Sequence, residues 1–450
     1  MLALTSSGAL GLVLHCRLLG NDVQWESNPY HRTTCGSVTR RRVNFSMNGI
    51  EKVVDSTIGV KQGDLPGPDL FNIYICAVMV VWRQRYNAGS PHKCKFRTKQ
   101  DFVLGSGSRG NKRRWNLGGL HPPKRDDVEW FEVSDSEYAD DTAVLFPSRD
   151  ELAKWTPVLI KTFADFGMQV HVKQPGDKKE KTVVLFVAVQ GGEYDRYYAD
   201  EGGAATYGGT DLSDIELPCG GLIPVKSKAK YLGSMLNRDA DCAVDVDARI
   251  GKAAAAFGKL KPLVFKSKNI SLPAKRAAYV AIVMSILLYG SEMWVLSATS
   301  RRKLRSFHHR CLRVMCGVNM WHVKERKITM SSLLDDANLR SIDTYLARRR
   351  LRWIGHVRRM DWDRTPRKLL SSWCYQARPL GRPCLRWAES IEEDLRLARL
   401  PITKWHLKAE NRIEWKSMIQ HLGEPKSKIK KRRVQQHQQQ KTRRRSQNQN

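Results

Sequence analysis

VSDSEYADDTAVLF, residues 133–146, sets two short apolar runs on either side of an Ala139-Asp140-Asp141 step. Small and acidic residues between such runs predict a β-hairpin with carboxylates at its tip. Two adjacent carboxylates on a tight turn repel one another unless cations neutralise them, so Asp140 and Asp141 are candidate ligands of a divalent metal. An acidic turn without a metal is the plainer reading of the tripeptide taken alone.

Downstream, residues 149–168 carry Leu152, Trp155, Leu159 and Phe163 at helical spacing, and Thr182 to Val189 is a β-branched run, so the hairpin is followed by an amphipathic helix and a strand. Upstream, GVKQGDLPGP (59–68) is a loop that opens into the apolar run Leu70 to Trp82, which predicts a buried helix. Val43 to Met47 alternates before Asn48-Gly49, a strand-and-turn pattern, and residues 86–125 are basic and glycine-rich, as in a long surface loop. Residues 191–217 are acidic and glycine-rich and predict a linker or surface excursion. After Tyr231-Leu232-Gly233 the periodicity turns helical over 243–261, 273–297, 300–316 and most of 331–398. Past Pro425 the low-complexity basic sequence predicts a disordered arm. The expected class is α+β, with a β-hairpin-and-helix part first and a mostly helical part after it. The divisions fall at 1–58, 59–190, 191–230, 231–330, 331–423 and 424–450.

The 450 residues carry a net charge of +32, unevenly: residues 1–300 have 39 basic and 32 acidic side chains (+7), and residues 301–450 have 38 and 13 (+25). Such a field favours a polyanionic partner through salt-dependent binding. Ten cysteines without a CxxC pair suit a reducing compartment, and no Lys or Arg precedes Arg17, so no secretory leader is expected. Ala277 to Ala298 has membrane-spanning length but contains Ser285, Gly290, Ser291 and Glu292, which predicts a buried helix and no membrane partner. The expected location is the nucleus or cytoplasm.

Several short signals follow one another along the chain. They are Gly59-Val60-Lys61-Gln62-Gly63-Asp64 with Pro68 and Leu70-Phe71-Asn72, then Tyr138-Ala139-Asp140-Asp141, Lys181-Thr182 and Tyr231-Leu232-Gly233. LLYGSEMW (287–294), FHHRCLR (307–313), LRWIGHV (351–357) and Gly381-Arg382-Pro383 before Arg386-Trp387 continue the series. This ordered set, over roughly residues 43–420, resembles the reverse transcriptases of non-LTR (LINE-like) retrotransposons. The resemblance implies a partial polymerase palm followed by a helical thumb and C-terminal region. It also implies Mg²⁺ or Mn²⁺ as cofactor, and an RNA template, a DNA primer or duplex, and dNTPs as partners. Asp140 would be the principal metal ligand and Asp141 its support, Tyr138 would pack under the primer end, and Gln62 would face the template or nucleotide. Gly63 would let backbone approach closely, and Lys181 would act as general acid for pyrophosphate.

One element of that family pattern does not match. Its A motif places another metal-binding Asp in a strand upstream of the B-motif loop, yet residues 1–21 hold no Asp or Glu, and Asp22 lacks the flanking pattern. The expectation is therefore a palm short of a central strand and of one shared ligand, with impaired nucleotidyl transfer. The alternative is a catalytically inactive nucleic-acid-binding remnant.

Two further clusters invite a function. Arg348, Arg349, Arg350, Arg352, Arg358 and Arg359 are expected to face outward against a phosphate backbone, with Trp353, Ile354 and Val357 inward. His308, His309, Cys311 and Cys316 invite zinc, but Cys311 falls on the apolar face of its helix and no second ligand pair is near, so a buried thiol is expected. The tail carries ten Lys and Arg over 426–445, which suits nonspecific RNA or DNA binding or a nuclear localisation signal at 430–433.

Overall fold

The computed structural model describes residues 11–17, 41–47, 50–56, 67–89, 95–98, 129–139, 141–146, 148–174, 177, 180–187, 206–207, 210–211, 213–218, 220–238, 241–373, 387–401 and 404–423. Gln62, Gly63, Asp140 and the basic tail lie outside them. The chain forms a mixed α+β part followed by a largely helical one.

Strand β1 (Gly11–Arg17) precedes an antiparallel pair, β2 (Arg41–Met47) and β3 (Ile50–Ser56), in which Met47 is in register with Ile50. Helix α1 (Gly67–Gly89) is followed by β4 (Lys95–Thr98), β5 (Glu129–Glu132), β6 (Asp135–Tyr138), β7 (Asp141–Phe146), α2 (Arg149–Asp165) and β8 (Val183–Val187). Two short hairpins, β9–β10 (Thr206–Tyr207, Thr210–Asp211) and β11–β12 (Ile215–Glu216, Leu222–Ile223), lead into β13 (Val225–Lys226). The principal sheet runs β13-β8-β1-β7-β6, antiparallel except for the β13–β8 pair.

Both faces of that sheet are covered. Val144, Phe146, Val184 and Phe186 meet α1 through Ile75, Val78, Met79, Trp82 and Tyr86, and meet α2 through Leu152, Trp155, Leu159 and Phe163. The alternate residues Ala143, Leu145 and Leu185 meet Ala229 and Leu236, which belong to the hairpin β14 (Lys228–Tyr231) and β15 (Ser234–Asn237). Burial on both sides explains why β7 reads as a continuous apolar run. Ser148 caps α2 by accepting from the Glu151 N–H.

Two expectations change. Ile215, Leu217 and Ile223 belong to the first core and β13 extends its sheet, so this part of 191–230 is neither a linker nor a surface excursion. The sheet also has a central strand, supplied by GLVLHCR of β1 between β7 and β8. A strand whose partners lie more than a hundred residues away gives no local pairing signal.

The helical part starts with α3 (Ala243–Leu260) and a π-turn at Lys261–Phe265, then α4 (Leu272–Ala278), a second π-turn at Tyr279–Met284 and α5 (Ser285–Leu287). It continues through α6 (Ala298–Cys316), α7 (Met320–Glu325), α8 (Met330–Asp336), α9 (Ile342–Arg358) and α10 (Thr365–Leu370). A short strand β16 (Ser372–Trp373) precedes α11 (Trp387–Leu397), α12 (Trp405–Glu410) and α13 (Arg412–His421). Gly290, in the left-handed region (φ 72°), interrupts the apolar run of 277–298 after α5, so 273–297 is not one continuous helix. Among the described residues no helix is long and apolar enough to cross a membrane.

The last core gathers α9, α11, α12 and α13 around Leu351, Ile354, Ile391, Leu395, Trp405 and Trp415. Gly355 makes this packing possible: a Cβ there would stand 2.1 Å from Trp415 Nε1, which donates to Leu351 O at 2.9 Å. In the LRWIGHV stretch the glycine thus marks a close crossing of two helices.

Candidate functional site

Tyr138 pairs directly with Asp141 across a tight turn, in which Ala139 is described and Asp140 is not. Ala139 takes the left-handed conformation (φ 51°) that such a turn needs at its first position. Cross-strand partners share a face, so Tyr138 and Asp141 lie on one side of the hairpin. Tyr138 is 68% exposed. The β14–β15 hairpin backs the same face, with Tyr231 Oη donating to Ser136 O at 3.3 Å. Burial, with the charges of Asp141 and Glu137, pushes the Tyr231 phenol above its ordinary range.

The neighbouring strands fix what else reaches this end of the sheet. In β1, Arg17 is in register with Asp141 and His15 with Val183 of β8, so Lys181, two residues before Val183, belongs to the same end as Asp141. The fold therefore brings Tyr138, Asp141 and the half-buried Lys181 together. Strand β1 offers Gly, Leu, Val, Leu, His, Cys and Arg, and no carboxylate. Among the described residues no group of three or more His, Cys, Asp or Glu is placed to hold a metal. Asp141 is the one expected ligand at this end that belongs to the described residues, and Asp140 lies outside them.

Asp135 and Glu137 occupy the opposite face of the same strand. Arg83 of α1 donates from Nε to Asp135 Oδ1 at 3.0 Å and also pairs with Glu137. Burial lifts the Glu137 carboxyl to about 7, helped by its hydrogen bond to Asp135 and by that residue's charge. Burial works against the Asp135 charge too, but hydrogen bonds from Arg83, Glu137 and Ser134 hold its carboxyl below the ordinary range. The alternation Asp-Ser-Glu is the signal that places this pair together, facing away from Asp141.

The chain is distantly similar to transposon-derived proteins. It is 27% identical over 199 residues to an uncharacterised transposon-derived protein of Caenorhabditis elegans, a match that covers 42% of this chain and 68% of that one. It is 26% identical over 175 residues to the Drosophila melanogaster protein named "Probable RNA-directed DNA polymerase from transposon BS", covering 38% of this chain and 18% of that one. No family model matches the chain.

The arginines of α9 are mostly engaged within the protein. Arg350 is 4% exposed and pairs bidentately with Asp394 of α11, Nε to Oδ2 at 2.6 Å and Nη2 to Oδ1 at 2.9 Å. It does not face outward, because a guanidinium in an apolar helix junction needs a carboxylate there. Arg349 pairs with Glu292 at 2.8 Å, and Arg348 donates to Gln420 O at 3.0 Å. Arg358 pairs with Glu410 at 2.6 Å, and Arg359 donates to Ala409 O. Of the six, Arg352 is the exposed one, while Ile354 and Val357 are buried as expected and Trp353 is half-buried.

His308 is also committed. Its Nδ1 lies 2.8 Å from Tyr279 Oη and its Nε2 3.0 Å from Arg340 O. A carbonyl only accepts, so Nε2 carries the proton and Nδ1 accepts from the tyrosine, which leaves no nitrogen for zinc. Burial pushes the Cys311 thiol up to about 12. Burial likewise lowers His308 to about 4. Unfolded chains bind this proton from pH 6.5 downward and the folded protein only near pH 4, so the neutral imidazole stabilises the fold above 6.5 and that contribution is lost as pH falls through the window. Denaturant midpoints are expected to drop between pH 6.5 and 4 by the equivalent of about 3 kcal/mol, and His308→Gln should flatten the profile. Identical profiles for the two proteins would refute the assignment.

Proposed function

We propose that this chain derives from a retrotransposon RNA-directed DNA polymerase and binds template–primer nucleic acid, with nucleotidyl transfer at the YADD hairpin impaired. The observation that carries this reading is the pairing of Asp141 with Arg17, in a central strand that has no carboxylate. The similarity to a protein named for RNA-directed DNA polymerase activity supports the polymerase ancestry. In such a centre two divalent cations shared between carboxylates activate the attacking hydroxyl and stabilise the departing pyrophosphate. This chain's own residues would do less. Exposed Tyr138 offers a ring to the primer end, Asp141 with Asp140 offers carboxylates at the turn, and Lys181 offers a cation at the same end of the sheet. Gln62 and Gly63 would meet the template.

The test is primer extension with an RNA template, a DNA primer, dNTPs and Mg²⁺ or Mn²⁺. Extension no greater than that of the Asp140→Ala/Asp141→Ala variant is expected, together with salt-dependent binding of the template–primer. Extension that disappears in the variant would overturn the impairment, and absence of binding at low salt would overturn the nucleic-acid reading.

A further inference from the structure

With most α9 arginines engaged, α6 carries other arginines that have no carboxylate partner among the described residues, and an exposed indole lies on the turn that follows it. Along α6, Arg301, Lys303 and Arg305 have carboxylate partners in Glu393, Asp247 and Asp343. Arg302, Arg310 and Arg313 make no ion pair among the described residues, and Arg302 and Arg310 are exposed. At 100° per residue Arg302 and Arg313 fall opposite the buried Leu304, Phe307, Cys311 and Met315, and Arg310 flanks that buried face over the Phe307 ring. Arg302 and Arg313 are three turns apart, about 16 Å along the axis. Gly317 then closes the helix in the left-handed region (φ 67°), and Asn319 caps α7 through a reciprocal bond with His322. The first residues of α7, Met320 and Trp321, stand 53% and 61% exposed, with exposed Lys324 one turn on.

The indole meets the His322 ring edge-on, with 5.3 Å between ring centres, and leaves most of its surface open on a capped turn that follows a cationic helix face. We propose that Trp321 is a stacking platform for an unpaired base of single-stranded nucleic acid, whose phosphates run along the free arginine face of α6. The chemistry is complementary on both counts. A ring offers a π-face that accepts any base, and guanidiniums without protein carboxylates are available to phosphate. A strand of nucleic acid uses ring and cations together. This rests on the nucleic-acid reading proposed above and names the surface and the single-stranded form.

The full chain can be titrated with fluorescein-labelled single-stranded DNA, single-stranded RNA and duplex DNA across a salt series. Trp321→Ala should weaken single-strand binding about ten-fold, with duplex binding changed much less and Trp321→Phe recovering most of the loss. Arg310→Gln/Arg313→Gln should reduce the single-strand salt slope by about 1.4. Unchanged single-strand affinity in Trp321→Ala refutes the platform, and so does a change in self-association with nucleic-acid binding intact. Wild-type protein that binds none of the three probes fails the broader reading instead. If Trp321→Ala does not fold, photocrosslinking of wild-type protein to bromouridine RNA decides: an adduct on residues 320–324 supports the platform, and adducts confined to other segments refute it.

Discussion

Asp245→Ala is expected to destabilise the helical part by about 3–5 kcal/mol, because one buried carboxylate serves three partners at the junction between the β14–β15 hairpin and α3. Asp245 is 4% exposed. Its Oδ1 accepts from the Met235 N–H at 2.9 Å and its Oδ2 from Trp294 Nε1 at 2.8 Å, while Arg249 Nε lies 3.7 Å away. Arg249 in turn donates to Gly233 O at 2.6 Å and stacks 4.2 Å from the Tyr289 ring centre, and Tyr289 Oη donates to Leu232 O. The Tyr-Leu-Gly turn and the YGSEMW segment are thus joined through two side chains of α3. Removing the carboxylate strands two N–H donors and a guanidinium in a dry interior, where each unmet group costs about 1–3 kcal/mol. Asp245→Asn keeps one acceptor and should fall between. Urea unfolding followed by tryptophan fluorescence measures this, and a wild-type midpoint for Asp245→Ala would refute it.

Arg350→Ala is expected to cost a similar amount, about 3–5 kcal/mol, by leaving Asp394 charged and alone among Leu351, Ile391 and Leu395. Burial already raises the Asp394 carboxyl above its ordinary range, and Arg350 pulls it back down. The pair is therefore costly to break and of modest worth compared with an apolar replacement. Arg350→Met/Asp394→Leu should recover most of the loss, which a double-mutant cycle in urea reads directly. Nucleic-acid affinity of that folded double variant should equal wild type. A ten-fold weaker affinity would instead restore Arg350 to the binding surface.

The sequence made legible whatever depends on near neighbours. The period of Leu152, Trp155, Leu159 and Phe163 marks α2, and the apolar runs around Ala139-Asp140 mark the hairpin. Pairings at long range stayed hidden. Nothing within β1 announces β7 and β8, and the carboxylates that hold Arg350 and Arg349 lie 44 and 57 residues away along the chain. A usable trace existed in the partners themselves. Asp394 falls between Ile391 and Leu395 on the buried face of α11, and Asp245 beside Val246 and one turn from Arg249 on the buried face of α3. An acid on an apolar helix face implies a buried cation nearby. Reading the arginines alone suggested phosphate; reading the misplaced acids would have suggested ion pairs.

Strand β16 pairs with β4, Ser372 against Thr98 and Trp373 against Arg97, while Thr98 Oγ1 donates to Lys368 O and Trp362 Nε1 to Glu129. The edge that β4 presents is therefore closed by a segment made some 275 residues later. At a synthesis rate of about 5–20 residues per second, that is about 15–55 s after β4 itself is made. For the part of that interval that follows the synthesis of β5, the nascent β4–β5 pair carries an open row of backbone donors and acceptors. The order of synthesis thus gives this small sheet a period of exposure that the finished chain no longer shows.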